Sequence, residues 1–237
     1  AASVIGIANP DVLLLQEIRD WETCQRLVAA LAPAKYEVLI CSAFRDEFSG
    51  GMGRQQVAIL AKQSAQAAWS ESWKTTGPID PPRGFAFSVL RFGTAEVGFY
   101  SIHLKSNLVL SGGETAVQAN IRKREVSVEQ LLAHQASLAA PFPRLSAWII
   151  AGDFNTNPDQ EMFANEKTLG VLQTAGFFNS FSSLPLAARV THPGKGRYPD
   201  ATFDYVMVKG LRTIGLPEIL KTSASDHHLV VVELELP

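Results

Sequence analysis

Apolar residues recur along the chain in short runs in which every second residue, or every residue, is apolar. Runs of this kind, rich in β-branched and aromatic residues and bounded by Gly, Pro, Asn or Asp, predict β-strands. The predicted strands are Val12–Gln16, Tyr36–Cys41, Gln55–Ala61, Phe85–Phe92, Glu96–His103, Ala147–Ala151, Thr202–Val208 and Leu229–Leu236. A short loop at Gly93 and Thr94 separates two of them, which predicts an antiparallel hairpin.

Helical spacing of apolar residues is confined to fewer segments. Asp20 can cap a helix that extends to Leu31, and a longer helix is predicted at Glu114–Ala140. A third is predicted at Phe163–Ala175, ended by Gly176. Many strands with a few helices between them predict an α/β fold of stacked sheets covered by helices.

Composition narrows this picture to one folded unit. The 237 residues are 46% hydrophobic and 19% charged, which is enough apolar material for one full core, so we expect a single domain over residues 1–237. The formal net charge of -2 provides no general cationic field for nucleic acid. A polyanionic substrate must therefore be held by a local patch or by metal ions.

Cysteine content and hydropathy bear on the compartment. Two cysteines, Cys24 and Cys41, are too few for a disulfide scaffold, and we expect buried thiols. No apolar run approaches the ~18–20 residues of a membrane span, and the segment Ala1–Ile7 lacks the basic start of a signal peptide. The sequence predicts a soluble monomer that is cytoplasmic, or secreted after loss of an N-terminal segment.

A carboxylate follows the first predicted strand, where Leu13–Gln16 leads into Glu17. A carboxylate at a strand end is a natural ligand for Mg²⁺, which prefers oxygen and keeps several waters. Alone, this residue is more typical of a solvated Glu that leaves a sheet. The consecutive Asp226, His227 and His228 could instead form a zinc site, but the other acids favour a harder ion.

A second polar segment follows the apolar run Ala147–Ala151. Gly152 permits a sharp turn, and Asp153 and Asn155 alternate, so that both can face one side of an extended chain. A carboxylate and an amide on one face can position a water molecule and donate to a phosphate oxygen. The alternative is an Asx-rich turn, but the closeness of Asp153 to a fully apolar strand favours a functional site.

Histidines supply further candidate chemistry. His103 ends a predicted strand with Lys105 two residues on, and a protonated His and a Lys could stabilise charge on a phosphoryl group, although a single His at a strand edge is more often structural. Asp204 could fix the tautomer of a catalytic imidazole, for which we favour His227. The sequence alone does not decide between His227 and His228 as this imidazole, because neighbouring residues of an extended chain point to opposite faces.

Together these segments resemble the endonuclease/exonuclease/phosphatase superfamily, which includes apurinic endonucleases, pancreatic-type deoxyribonuclease, neutral sphingomyelinases and inositol polyphosphate 5-phosphatases. The matching segments are Gln16-Glu17, His103-Leu104-Lys105-Ser106, Gly152-Asp153-Phe154-Asn155, Phe203-Asp204-Tyr205 and Ser225-Asp226-His227. Each segment is short, but they occur in family order across nearly the whole chain. The resemblance implies a four-layer α/β/β/α sandwich.

The resemblance implies that Glu17 binds an essential divalent metal, Mg²⁺ or Mn²⁺, and that Asp226 belongs to the same acidic cluster. In the family, a first strand ends in an Asn that joins the metal shell. No such strand precedes Glu17 here, and Ala1–Ile7 resembles the end of the family's first helix. We expect the missing strand to have been contributed by residues upstream of Ala1.

The resemblance also implies catalytic roles. Asp153 positions or activates the attacking water, and Asn155 contacts the phosphate. His227 and Asp204 act as an acid/base and electrostatic pair, while His103 donates to a phosphate oxygen. The division of labour between Asp153 and His227 stays open.

Loop residues complete the predicted site. Those expected to bind substrate are Arg54, Arg83, Lys105, Asn107 and Arg197. Charges on the long helix, Arg122–Arg124 among them, are expected to be solvated. The segment Thr191–Tyr198 is predicted to be a lid over the site.

Three functions are compatible with these residues. The leading prediction is hydrolysis of phosphodiesters in DNA or RNA by metal-assisted attack of water. A phosphomonoesterase, or a hydrolase of phospholipid or inositol-phosphate headgroups, could use the same site. The third is a non-catalytic binding module. The chain keeps all the catalytic residue types, which argues against this third function.

Overall fold

A computed structural model describes residues 1–46, 49–109, 112–196 and 198–236. The helices are α1 (Ala2–Ala8), α2 (Trp21–Ala30), α3 (Gly113–Ser137) and α4 (Thr168–Thr174). The strands are β1 (Val12–Ile18), β2 (Glu37–Cys41), β3 (Gln56–Ala61), β4 (Ala67–Ser72), β5 (Gly84–Phe92), β6 (Ala95–His103), β7 (Leu145–Asp153), β8 (Phe178–Asn179), β9 (Asp204–Lys209), β10 (Arg212–Leu220) and β11 (Leu229–Glu235).

The strands form three sheets, with the orders β4-β5-β6-β7-β9-β8, β1-β3-β2 and β10-β11. The strands β5 and β6 pair antiparallel as the hairpin predicted at Gly93 and Thr94. In contrast, β6 and β7 pair in parallel, and α3 is the crossover that connects them. This crossover brings the ends of β6 and β7 to the same edge of the large sheet.

Three apolar clusters lie between the sheets and the helices. Within β3, Val57 and Ile59 pack into the cluster shared with the large sheet, because alternate side chains of a strand point to opposite faces. Leu60 packs on the other side, against Cys24 of α2. The outer face of the large sheet packs against helices α3 and α4, in a cluster that includes Leu131. The mixed α/β fold with several sheets is therefore confirmed.

A buried polar contact ties the two stacked sheets together near one edge. Ser101 of β6 is fully buried, and its hydroxyl donates to the carbonyl of Leu15 at 3.0 Å. The same hydroxyl accepts from the side-chain amide of Gln16 at 3.0 Å. The end of β1, from which Glu17 projects, is thereby fixed against β6.

Some elements differ from the prediction. The strands β4, β8 and β10 were not predicted: β4 is polar at three of its six positions, β8 has two residues, and β10 contains Pro217 and a register shift between Ile214 and Glu218. The third helix begins at Thr168 rather than Phe163, which belongs to a short 3₁₀ turn. Within the described residues, β1 is hydrogen-bonded to β3 and to no second strand.

Both cysteines are free thiols, with Cys24 buried and Cys41 partly exposed. Among the helices in the described ranges, none combines the length and the apolar character that crossing a membrane requires.

Candidate active site

Three predicted site residues lie side by side in adjacent strands of the large sheet. His103, at the end of β6, is the register partner of Asp153 at the end of β7. Asp153 is in turn the register partner of Asp204 at the start of β9. Facing side chains of paired strands lie close together, so the register alone gathers these residues at one edge of the sheet.

A fourth residue reaches the row from the loop before β11. Nδ1 of His227 lies 2.7 Å from Oδ2 of Asp204, which is the pair predicted from the sequence. His228 faces elsewhere: its backbone N–H donates to the carbonyl of Thr191, and its ring lies near the backbone of Thr222. The two histidines therefore point in different directions, and His227 is the one in the row.

Asp153 is buried and held by the residues around it. The backbone N–H and the side-chain amide of Asn155 donate to its two carboxyl oxygens, both at 2.8 Å. Nε2 of His103 lies 3.4 Å from Oδ2. Burial is the largest influence on the pKa of Asp153 and the charge of Asp204 adds to it, so that the pKa is raised to about 8. A carboxyl group with a pKa near neutrality is suited to proton transfer.

Asn155 serves Asp153 in this arrangement. Its amide donates to the carbonyl of Leu104 at 3.2 Å as well as to Asp153, which uses both of its hydrogens within the protein. Neither amide hydrogen of Asn155 is therefore free for the phosphate contact that the resemblance implies. Asn155 orients the carboxyl group of Asp153.

His103 is also buried, and its imidazole is neutral. Burial lowers its pKa well below the ordinary value, and the positive charges of Arg83, His227 and Lys105 lower it further. The protonated form predicted from the sequence is therefore disfavoured, because no negative charge outweighs the loss of hydration. Nδ1 of His103 is buried and has no hydrogen-bond partner within the described residues.

His227 has the opposite character. Burial alone lowers its pKa, but the hydrogen bond and the charge of Asp204 outweigh burial, together with the carboxylates of Asp153 and Asp226. The pKa is raised to about 9, so His227 is a cation at neutral pH. The row thus places a neutral imidazole and a charged imidazole on the two sides of the Asp153–Asp204 pair.

The segment that follows Thr191, predicted from the sequence as a lid, packs against His227, and His192 in it pairs with Ala201. The hydroxyl of Thr191 is buried and accepts from the backbone N–H groups of Phe203 and Asp204. The ring of His192 lies 4.8 Å from that of His227, centroid to centroid. Nothing in the sequence singles out His192, because its contact with His227 depends on two segments that are distant in the chain.

The predicted metal ligands are exposed carboxylates at the same edge. Glu17 accepts from the amide of Gln55 at 2.8 Å, and Asp226 lies within electrostatic reach of His227. No group of three or more His, Cys, Asp or Glu in the described ranges is arranged to hold an ion. Mg²⁺ and Mn²⁺ sites commonly use one or two carboxylates, water and substrate oxygens, so this donor set fits such an ion better than zinc.

The predicted substrate-binding residues occupy different environments. Arg54 is exposed next to β3, whereas Arg83 donates to the backbone carbonyls of His103 and Leu104. Lys105 and Asn107 are half-buried. Arg197 lies outside the described residues.

Arg124 corrects the expectation that the charges of the long helix are solvated. Its side chain is fully buried and pairs with the buried carboxylate of Glu166. It also donates to the carbonyl of Lys105 at 2.9 Å and approaches the amide oxygen of Asn107. Arg122 is solvated as expected and pairs with two acids of its own helix. Arg124 therefore fixes the loop that follows β6.

A cleft of about 360 Å³ adjoins the row on the side of Arg83. The residues that line it include the charged Arg45 and Asp80, together with Phe44 and Trp73, which are themselves buried in the core. The cleft lies at the same end of the sheets as this row, because β2 and β4 both end there.

Residues 2–227 match the Endonuclease/Exonuclease/phosphatase family. The chain belongs to this family. Its membership rests on a match over nearly the whole sequence and agrees with the order of the site residues. A comparison with curated proteins finds none that matches.

Solved structures share the family fold at low sequence identity. A family protein from Leptotrichia buccalis is 15% identical with a TM-score of 0.69, over 99% of this chain and 91% of that one. A mannosyl-6-phosphatase from Bacteroides thetaiotaomicron is 16% identical with a TM-score of 0.70, over 99% and 89%. The catalytic domain of human Nocturnin, with a bound sulfate anion, is 17% identical with a TM-score of 0.66, over 98% and 83%.

The site predicts a dependence of stability on pH. The pKa of His227 is raised above its ordinary 6.5 to about 9, so its stabilising contribution is complete below pH 6.5 and is lost as pH rises through 9. Asp153, whose pKa is raised from 3.8 to about 8, changes stability in the same direction. We expect the Tm of the metal-free protein to fall between pH 6.5 and 9, and to fall less in His227→Asn. An equal slope in both proteins, measured by calorimetry, would contradict the pairing with Asp204.

Proposed function

We propose that this family member hydrolyses phosphodiester bonds in nucleic acid by attack of water at phosphorus. The observation that carries the proposal is the row of His103, Asp153 and Asp204 with His227 bonded to its end. It provides a proton acceptor with a pKa near neutrality, an oriented cation and a neutral imidazole within one edge of a sheet. Phosphoryl transfer needs such groups for positioning and charge stabilisation.

Asp153 is the proposed base for the attacking water. A base must be oriented and must have a pKa near the working pH, and burial together with the two bonds from Asn155 meets both requirements. Each carboxyl oxygen of Asp153 accepts one hydrogen bond from Asn155 and keeps a lone pair that can accept a hydrogen bond from a water molecule. Removal of a proton from water at this position would direct the hydroxide toward a phosphorus held above the row.

His227 is the proposed cation that faces the developing negative charge. Asp204 holds Nδ1, so that Nε2 is left to donate a proton to a phosphate oxygen or to the leaving oxygen. Neutral His103 can donate one further hydrogen bond without adding charge. This division assigns proton removal to Asp153 and charge stabilisation to His227.

Glu17 and Asp226 would hold the divalent cation that family members use. When bound, Mg²⁺ or Mn²⁺ supplies a Lewis acid that polarises a phosphoryl oxygen. Both carboxylates are exposed, which suits an ion that keeps water ligands and is partly bound by the substrate.

The substrate class is inferred from the surroundings of the row. The cleft beside Arg83 has room for a group of about nucleotide size, with the cations Arg45 and Arg83 in its lining. Arg54 and Lys195 are exposed basic residues of two loops that could contact phosphate groups. A bound sulfate in the structure of human Nocturnin supports the view that this fold accepts a tetrahedral oxyanion.

A phosphomonoesterase is the second candidate. The specific observation in its favour is the similarity to the Bacteroides thetaiotaomicron protein, which is named a mannosyl-6-phosphatase. Monoester hydrolysis would use the same row, with a sugar or another small group in the cleft.

Hydrolysis of a chromogenic phosphodiester beside its monoester tests the proposal, each with Mg²⁺, Mn²⁺ or EDTA. We expect diester cleavage that requires the metal, and cleavage of DNA or RNA oligonucleotides under the same conditions. Preference for the monoester would favour the second candidate. Absence of cleavage of every ester, with metal present, would contradict both.

A further inference from the structure

Gln55 and Arg83 form a hydrogen-bonded bridge between the two stacked sheets at the catalytic edge. The amide nitrogen of Gln55 donates to Oε1 of Glu17 at 2.8 Å. The amide oxygen of Gln55 accepts from Nη1 of Arg83 at 2.7 Å. Because both ends of the amide are engaged, its orientation is fixed and Glu17 is connected to Arg83.

Arg83 is anchored on the strand end that carries His103. Its Nε donates to the carbonyl of His103 at 3.0 Å, and its Nη2 donates to the carbonyl of Leu104 at 2.7 Å. The planar guanidinium fork matches three acceptors at once, which a lysine cannot do. The carbonyl of Leu104 also accepts from Asn155, so the connection continues to Asp153.

The backbone conformation points to the same residues. Glu17, Arg83 and Asn155 have positive φ angles of 55°, 66° and 53°, and Asn9 is the only other non-glycine residue of the described chain with a positive φ. Non-glycine residues adopt this conformation at a cost in free energy, and such strain concentrates at functional sites. Glycine would remove the cost at each position but would also remove a side chain of the bridge or of the Asp153 support.

We propose that Gln55 and Arg83 are positioning residues that hold the carboxylate of Glu17 at a fixed distance from the His103–Asp153 pair. This inference rests on the proposed function, in which Glu17 holds a divalent cation while Asp153 activates water. Both groups must act on one phosphorus atom, yet they belong to different sheets. Because Gln55 is exposed, its hydrogen bonds to Glu17 and Arg83 contribute little to the free energy of folding. We assign them the role of positioning the carboxylate of Glu17.

Binding of Mn²⁺, followed by electron paramagnetic resonance, tests the bridge without relying on activity. We expect Gln55→Leu to weaken Mn²⁺ binding about 10-fold or more, as removal of groups that orient metal ligands usually does. The matched control is Gln63→Leu: Gln63 follows the same strand at its other end and donates to the carbonyl of Arg91. It should leave binding unchanged.

A double variant tests whether the two residues act as one unit. We expect Arg83→Met to weaken Mn²⁺ binding, and Gln55→Leu combined with Arg83→Met to weaken it no further than the more severe single change. Fully additive losses would overturn the bridge, as would wild-type affinity in Gln55→Leu. Glu17→Gln distinguishes a failure of the bridge alone from a failure of the metal site. If Glu17→Gln also leaves Mn²⁺ binding unchanged, Glu17 is not a metal ligand, and the bridge has no role in metal binding.

Discussion

Turnover of a phosphodiester by His227→Ala is expected to be lower than that of the wild type by about 10²–10⁴-fold. The imidazole is a cation held by Asp204 beside Asp153, and alanine removes both its charge and its proton. His227 lies in a half-buried loop, so water can replace part of its bond to Asp204. We therefore expect Tm to change by no more than about 2–4 °C, the equivalent of one such bond in a protein of this size.

His228→Ala is the matched control for this prediction. The two histidines are adjacent, but the contact of His228 with Thr191 is made through its backbone and survives the substitution. Activity close to the wild type is expected for His228→Ala. Equal losses in the two variants, or a loss of activity in His227→Ala matched by a loss of folding, would contradict a catalytic role for His227.

Gly152→Ala is expected to cause the largest loss of stability among single-methyl changes at the site. A Cβ atom at this position would lie 2.0 Å from the carbonyl oxygen of Ile102 and 3.0 Å from the amide nitrogen of Gln16. The φ angle of 142° is also strained for any residue with a side chain. Overpacking and backbone strain together should cost about 2–5 kcal/mol in the free energy of unfolding, measured by urea denaturation.

Gly170→Ala, in contrast, is expected to raise the free energy of unfolding. This glycine lies within α4, and an added Cβ would meet no described atom within 4 Å beyond its chain neighbours and the backbone of its own helix. The substitution should stabilise the protein by about 0.5–1 kcal/mol, because alanine loses less entropy than glycine in a helix. If Gly152→Ala were as stable as Gly170→Ala, the close approach of β6 and β7 beneath Asp153 would be refuted.

The strands that carry the candidate site could be predicted because the signal lies in consecutive residues. The runs that became β6 and β7 are almost wholly apolar and end in His103 and Asp153, and a buried strand that stops at a polar residue is visible in the sequence. The pairing of Asp204 with His227 was predicted from the resemblance and from the need of an imidazole for a partner. Strand alternation alone leaves His228 open, the family motif favours His227, and the loop geometry places His227 against Asp204.

Other features depend on contacts between distant segments. Arg124 is surrounded by charged and polar neighbours on its helix, and its burial becomes apparent only when Glu166 is seen opposite it. Gln55 was placed in a strand with no role, because its partners Glu17 and Arg83 come from two other elements. The strand β10 escaped prediction because Gly215 and Pro217 interrupt its pattern, although a bulge accommodates them.

The charge arrangement explains how a protein with a formal net charge of -2 could act on an anionic ester. Asp153, whose pKa is raised to about 8, carries only part of a negative charge near neutral pH and becomes fully the proton-accepting carboxylate as pH rises through 8, whereas His227 is charged. The row of residues that faces the substrate is thus less negative than its composition suggests. Local pKa values, rather than the total charge, determine whether the site can approach a phosphate.

Hydrolysis of a phosphodiester in water enriched in oxygen-18 tests the central claim most directly, with Mg²⁺ present and Asp153→Asn as the comparison. The account predicts that the wild type places one oxygen-18 atom in the phosphate product and none in the released alcohol, and that Asp153→Asn does so about 10²–10⁴-fold more slowly. Label in the alcohol, or an unchanged rate in Asp153→Asn, would contradict attack at phosphorus by water that Asp153 activates.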